Sequence, residues 1–161
     1  MSSEFINKVM KAAVNIQLQY NLPAAAITAQ ACLETGYGEK VCTDLHTGQY
    51  SYNLFNIKGE GPAGSVLVIT TEYYRGVKKR VLARFRAYNN FDESYADYVL
   101  LISQDRYAPC RKAGDDPDEY ARQLYACGYA TDPNYPRKLI IIMDRYGLRE
   151  MAEELMAGNK G

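Results

Sequence analysis

The chain has 161 residues, 47% of them hydrophobic and 24% charged, which suits one soluble globular domain, 1–161, with a real core. Nineteen acidic and nineteen basic residues balance to a formal charge near zero, so no basic excess points to nucleic acid. No apolar run approaches the ~20 residues that span a bilayer, and the start, Met-Ser-Ser-Glu-Phe-Ile-Asn-Lys, lacks the charged and apolar regions of a signal peptide.

In chain order, Phe5, Val9, Ala12, Ala13, Ile16 and Tyr20 recur at helical spacing, which predicts a first helix over roughly residues 4–20. Asn21-Leu22-Pro23 turns the chain into a second, alanine-rich helix, with proline suited to its first position. Gly36 stops that helix. Ile27, Gln30, Ala31 and Glu34 share one of its faces, so Glu34 sits among small apolar neighbours at the negative end of the helix. Both settings push its pKa upward. A carboxylic acid still protonated near neutral pH is what a glycosidase needs to protonate a leaving oxygen. An ordinary exposed helix-end glutamate fits the same pattern.

Residues 39–64 hold no steady period and read as a long loop, which in a compact domain is usually functional. Val66, Val68 and Thr70 alternate with Leu67 and Ile69; after Arg75-Gly76, Val81, Ala83, Phe85 and Ala87 alternate with Arg80, Leu82, Arg84 and Arg86. This predicts a β-hairpin with one apolar and one partly basic face. Glu72 continues the Val66, Val68, Thr70 face near the hairpin tip; a solubilising strand-end charge also suits that place. A helix follows from Asp92, another from Asp116-Pro117 to Gly128, a third through Leu139, Ile142, Met143 and Tyr146 to Gly147, and a short amphipathic segment from Glu150 to Met156. The fold class is α+β, mostly helical with one hairpin lobe.

Cys32, Cys42, Cys110 and Cys127 show no Cys-x-x-Cys spacing, which speaks against zinc and leaves three disulfide pairings or none. Cys32 reads as a small buried thiol. The single histidine, His46, makes a Ser-His-Asp triad or a multi-histidine metal site improbable. Fifteen tyrosines and no tryptophan are unusual; tyrosine suits sugar rings, although most are expected to be half-buried packing residues.

Four segments carry a resemblance: Ser-Tyr-Asn-Leu-Phe-Asn-Ile-Lys-Gly at 51–59, Thr70-Thr71-Glu72-Tyr73, Phe85-Arg86-Ala87-Tyr88, and Gly128-Tyr129-Ala130-Thr131-Asp132-Pro133-Asn134-Tyr135. In this order they resemble the glucosaminidase domains of glycoside hydrolase family 73, from about Phe5 to Leu148. That family includes bacterial autolysins, phage wall hydrolases and the wall-cutting half of the flagellar rod-cap protein. Asn56 departs from the family's usual glycine, and reads as a matter of loop conformation rather than of catalysis.

The resemblance implies a lysozyme-like fold and an endo-β-N-acetylglucosaminidase cutting the β-1,4 bond between N-acetylglucosamine and N-acetylmuramic acid. It implies Glu34 as general acid, Glu72 as a second functional carboxylate, and Tyr129 beside the reacting sugar. Tyr37 is expected as a cleft wall, Asn53 as a hydrogen-bonder to the glycan, Phe55 as a platform for sugar or core, and Lys58 as a weaker contact. No metal or organic cofactor is expected. The expected partners are peptidoglycan glycan strands, met by a monomer outside the cytoplasm, with the export route open. A muramidase of the same fold, or a wall-binding module without activity, are the other readings. Inversion, retention and participation of the substrate's acetamido group all stay open.

Overall fold

In the computed structural model, which describes residues 2–159, seven α-helices form a bundle around one of their number, the alanine-lined α2, and leave one hairpin to the side. Helix α1 (Ser2–Tyr20) turns one face inward through Ile6, Val9, Met10, Ala13, Val14 and Ile16. Helix α2 (Ala24–Thr35) is buried almost all round, from Ala24 to Cys32. Its five small alanines let α1, α5, α6 and α7 approach closely on every side. The Gln17 side chain accepts from Ala24 N at 2.7 Å and caps the start of α2. At its other end Gly36 adopts a left-handed conformation (φ 55°) and donates to Cys32 O.

Strands β1 (Ser65–Tyr74) and β2 (Val77–Arg86) form the antiparallel hairpin. Arg75 and Gly76 both have positive φ, 51° and 79°, so the two-residue turn follows the strand twist. The register pairs Val66 with Phe85, Val68 with Ala83, Thr70 with Val81 and Glu72 with Lys79. Val66 and Phe85 are buried with Ala87 in a small second core, while Ile69 and Leu82 face out. A two-stranded unit is marginal alone, and the loop supports it: Arg86 N donates to Ile57 O, Gly59 N to Arg84 O, and Leu67 N to the Asp44 carboxylate.

Helix α3 (Phe91–Ile102) begins at Asn90, whose side chain accepts from Glu93 N. A 3-10 turn (Asp105–Tyr107) and the short α4 (Ala108–Lys112) follow; neither stands out in the sequence pattern. Helices α5 (Pro117–Ala126), capped by Asp116, and α6 (Tyr135–Tyr146), stopped at left-handed Gly147, match the predicted ones. Helix α7 (Leu148–Asn159) outruns the predicted 150–156, because Leu148 and Ala152 bury against the bundle. All four cysteines are free thiols.

Candidate active site

A groove of about 610 Å³ runs between the C-terminal end of α2 and the hairpin. Glu34 lies at its floor. The loop Asn56–Lys58 and the β1 residues Thr70–Tyr73 form one wall, and Gly128–Asp132 with Tyr135 form the other.

Glu34 sits in the last turn of α2, facing α6 and the loop. Tyr135 donates its hydroxyl to Glu34 Oε2 at 3.0 Å. Asn56 Nδ2 donates to Glu34 O at 2.9 Å and to Oε1 at 3.3 Å. Burial lifts the carboxyl from its ordinary value to about 7, although the Tyr135 and Asn56 donors pull it down. Glu72 adds a smaller upward push and Lys58 a downward one.

Tyr135 is held from behind. Gln30, fully buried one turn before Glu34, donates Nε2 to the Tyr135 hydroxyl at 3.0 Å and accepts from Tyr98, whose hydroxyl meets that of Tyr120 at 2.6 Å. A chain of polar groups thus runs from Tyr120 on α5 through Tyr98 on α3, Gln30 on α2 and Tyr135 on α6 to Glu34. Such a satisfied network fixes rotamers in a core. Spacing put Gln30 on the face of Glu34, but nothing in the chain pattern marked Tyr135 or Asn56 as its partners.

Glu72 occupies the hairpin wall. Its carboxylate accepts from Lys58 Nζ at 2.5 Å and from Thr131 Oγ1 at 2.7 Å. Thr131 Oγ1 in turn accepts from Tyr73 N at 3.0 Å, so the strand end is tied to the opposite wall. Lys58 therefore lines the groove as an ion-pair partner of Glu72.

Tyr129 follows α5 through Gly128, which takes φ 85°. That left-handed backbone favours glycine, and a Cβ there would also press on the Arg106 guanidinium at 2.6 Å, which would have to shift. Tyr129 N donates to Leu124 O and its ring stacks on Tyr135 at 6.1 Å. Its hydroxyl donates to Phe55 O at 2.6 Å. That proton is engaged, which leaves the oxygen lone pairs and the ring for a ligand.

Three expected groove residues lie elsewhere. Asn53 is fully buried: Nδ2 donates to Ile57 O and Arg86 O, and Oδ1 accepts from Phe55 N and Ile57 N. With every polar atom turned to the backbone, it staples the loop to β2. Phe55 is also fully buried, its ring 4.4 Å from that of Tyr98 and 5.9 Å from that of Tyr95. Tyr37 turns away after Gly36, with φ 60°, and packs edge-on against Tyr146 at 5.5 Å. The reading of Asn56 as loop conformation alone is also corrected, since its side chain bonds Glu34.

Among the described residues no group of three or more His, Cys, Asp or Glu side chains is arranged to hold a metal ion. No described helix is long and apolar enough to cross a membrane.

The profile of the family described as mannosyl-glycoprotein endo-beta-N-acetylglucosaminidase matches residues 10–148. The chain belongs to this glucosaminidase family. The peptidoglycan hydrolase FlgJ of Escherichia coli (strain K12) is 40% identical over 141 residues, 86% of this chain and 44% of that protein. The chain therefore spans less than half the length of that peptidoglycan hydrolase. A crystal structure of a peptidoglycan hydrolase mutant from Sphingomonas sp. A1 superposes with a TM-score of 0.78 at 35% identity, covering 93% of this chain and 97% of that one. The glycoside hydrolase domain of Salmonella typhimurium FlgJ superposes with a TM-score of 0.67 at 31% identity, covering 99% of this chain and 96% of that one. The lysozyme-like glucosaminidase fold thus accounts for the α+β architecture, hairpin lobe included.

Proposed function

We propose that this glucosaminidase-family chain hydrolyses peptidoglycan glycan strands at the β-1,4 bond on the reducing side of N-acetylglucosamine, with Glu34 as general acid. The observation that carries the reading is a carboxyl raised to about 7 by burial, opening onto a groove that a second carboxylate shares. At neutral pH much of Glu34 holds its proton. It can give that proton to the glycosidic oxygen as the bond breaks.

Glu72 is the second carboxylate. It comes from the other lobe, so a sugar seated in the groove meets the two acids from different sides. Lys58 and Thr131 hold it in place. Product stereochemistry divides its roles: inversion makes it the base for water, while retention leaves either Glu72 or the acetamido group of the substrate as the nucleophile. Glu72→Gln is expected to lower kcat about 10²-fold with little change in KM. Steady-state rates on a soluble glycan fragment check this. An unchanged kcat transfers the nucleophile's role to the acetamido group of the substrate.

Tyr129 orients the reacting sugar. Tyr129→Phe keeps the ring and removes one hydroxyl. It is expected to cost roughly 0.5–1.5 kcal/mol, a few-fold to ten-fold in kcat/KM. The protein works outside the cytoplasm as a monomer.

Incubation with purified peptidoglycan tests the whole reading. Mass spectrometry of the fragments is expected to find N-acetylglucosamine at the new reducing ends. N-acetylmuramic acid there would make the protein a muramidase. Uncut strands that pull the protein down would make it a binding module.

A further inference from the structure

Asn56 is an unusual choice for its place. Its backbone is left-handed, φ 50°, a conformation glycine adopts freely and asparagine tolerates. Its Oδ1 is buried without a hydrogen-bond partner among the described residues. A buried orphan acceptor is itself unfavourable. Glycine at this position would carry neither burden. What asparagine adds is Nδ2, which binds the last turn of α2 at Glu34 O and the carboxylate at Glu34 Oε1.

We propose that Asn56 is a positioning residue for the general acid: it fixes Glu34 against the groove and sets the alkaline limit of the reaction. This rests on the reading of Glu34 as the acid. An amide N–H can only donate. It therefore favours the ionised carboxylate and opposes a proton at the oxygen it faces. Tyr135, on the other oxygen, differs, because a hydroxyl can turn and accept. Asn56 thus steers the acidic proton away from Oε1 and lowers the pH at which Glu34 loses it.

The other groups facing Glu34 are few. Tyr135 comes from α6 and Tyr129 from the segment before it. Lys58 comes from the loop and Glu72 from β1, paired to each other at 2.5 Å and pushing Glu34 in opposite directions. Gln30, on α2 itself, is engaged with Tyr135 and Tyr98. None of these replaces the Asn56 donor when it is removed.

The experiment compares the wild type with Asn56→Gly and Asn56→Asp. Glycine fits the backbone, and aspartate keeps the shape while exchanging a donor for a charge. Two readouts are taken against pH: kcat/KM on soluble peptidoglycan fragments, and carbon-13 NMR of the Glu34 carboxyl. In Asn56→Gly the Glu34 midpoint and the alkaline limb are expected to rise together by about half a unit to one unit. In Asn56→Asp the second carboxylate is expected to move the midpoint further the same way. A Glu34 midpoint unchanged or lowered in both variants overturns the proposal. The NMR midpoint needs no turnover, so it decides about Asn56 even if the protein cuts nothing. Full activity in Glu34→Gln would instead remove the general-acid reading and leave the NMR result standing.

Discussion

Glu34→Gln is expected to fold normally and to lose lytic activity about 10³-fold, within the range that general acids contribute. The amide fills the same space but has no proton to give to a departing sugar oxygen. Release of reducing ends from purified peptidoglycan at pH 6 measures the loss. A correctly folded variant within ten-fold of the wild type would end the assignment. The wild type should show the matching pH dependence. With Glu34 as the acid, only its protonated form can act, so kcat/KM is expected to fall as pH rises through about 7.

The same carboxyl ties stability to pH. Its folded value, about 7, lies above the model value of 4.5, so the folded protein keeps a proton that the unfolded chain has lost in that window. Stability from this group is complete below the lower value and is lost as pH rises through the upper one. Above pH 7 the fold carries a largely buried carboxylate, a handicap of roughly 3 kcal/mol for a shift from 4.5 to about 7. Glu34→Gln never ionises. Its melting temperature should exceed that of the wild type at pH 8 and converge with it near pH 5. Catalysis and stability thus pull on this residue in opposite directions, as is common where a site stores an unfavourable group.

Much of this was legible in the chain. The period of α2, its glycine stop and the face shared by Gln30 and Glu34 are local properties, and local patterns survive folding. The hairpin and the Asp116 cap were legible for the same reason. Helices α4 and α7 were less so, because a five-residue helix has too few turns to show a period and because the start of α7 is set by the burial of Leu148 against the bundle. The place of Glu34 at the groove was readable from its own helix, whereas Glu72 on its strand read equally as a strand-end charge until the family resemblance singled it out. The site was unreadable where a distant segment supplies the partner. Tyr135 lies 101 residues from Glu34 and Asn56 lies 22 away. Only the closed fold brings them together. Asn53 shows the converse error: a polar residue in a polar loop suggests a ligand contact, yet its four hydrogen bonds all go to backbone groups of the loop and β2.

Phe55 turns that error into a measurable result. An aromatic beside the motif lysine invites a sugar platform, but the ring is sealed against Tyr98 and Tyr95 with no surface left for a ligand. Its loss is therefore a core loss. Phe55→Ala should destabilise the protein by about 3–5 kcal/mol, the range for emptying a packed aromatic site. For a chain of this size that lowers the melting temperature by roughly 10 °C. Denaturant unfolding with a constant slope measures it. Well below the transition, KM for a soluble glycan should stay near the wild-type value, since no sugar touches the ring. The kcat should fall modestly, because the Phe55 carbonyl that holds the Tyr129 hydroxyl sits on the loosened loop. A platform would behave the other way, with the melting temperature kept and KM raised several-fold. That outcome would move Phe55 out of the core and onto the groove wall.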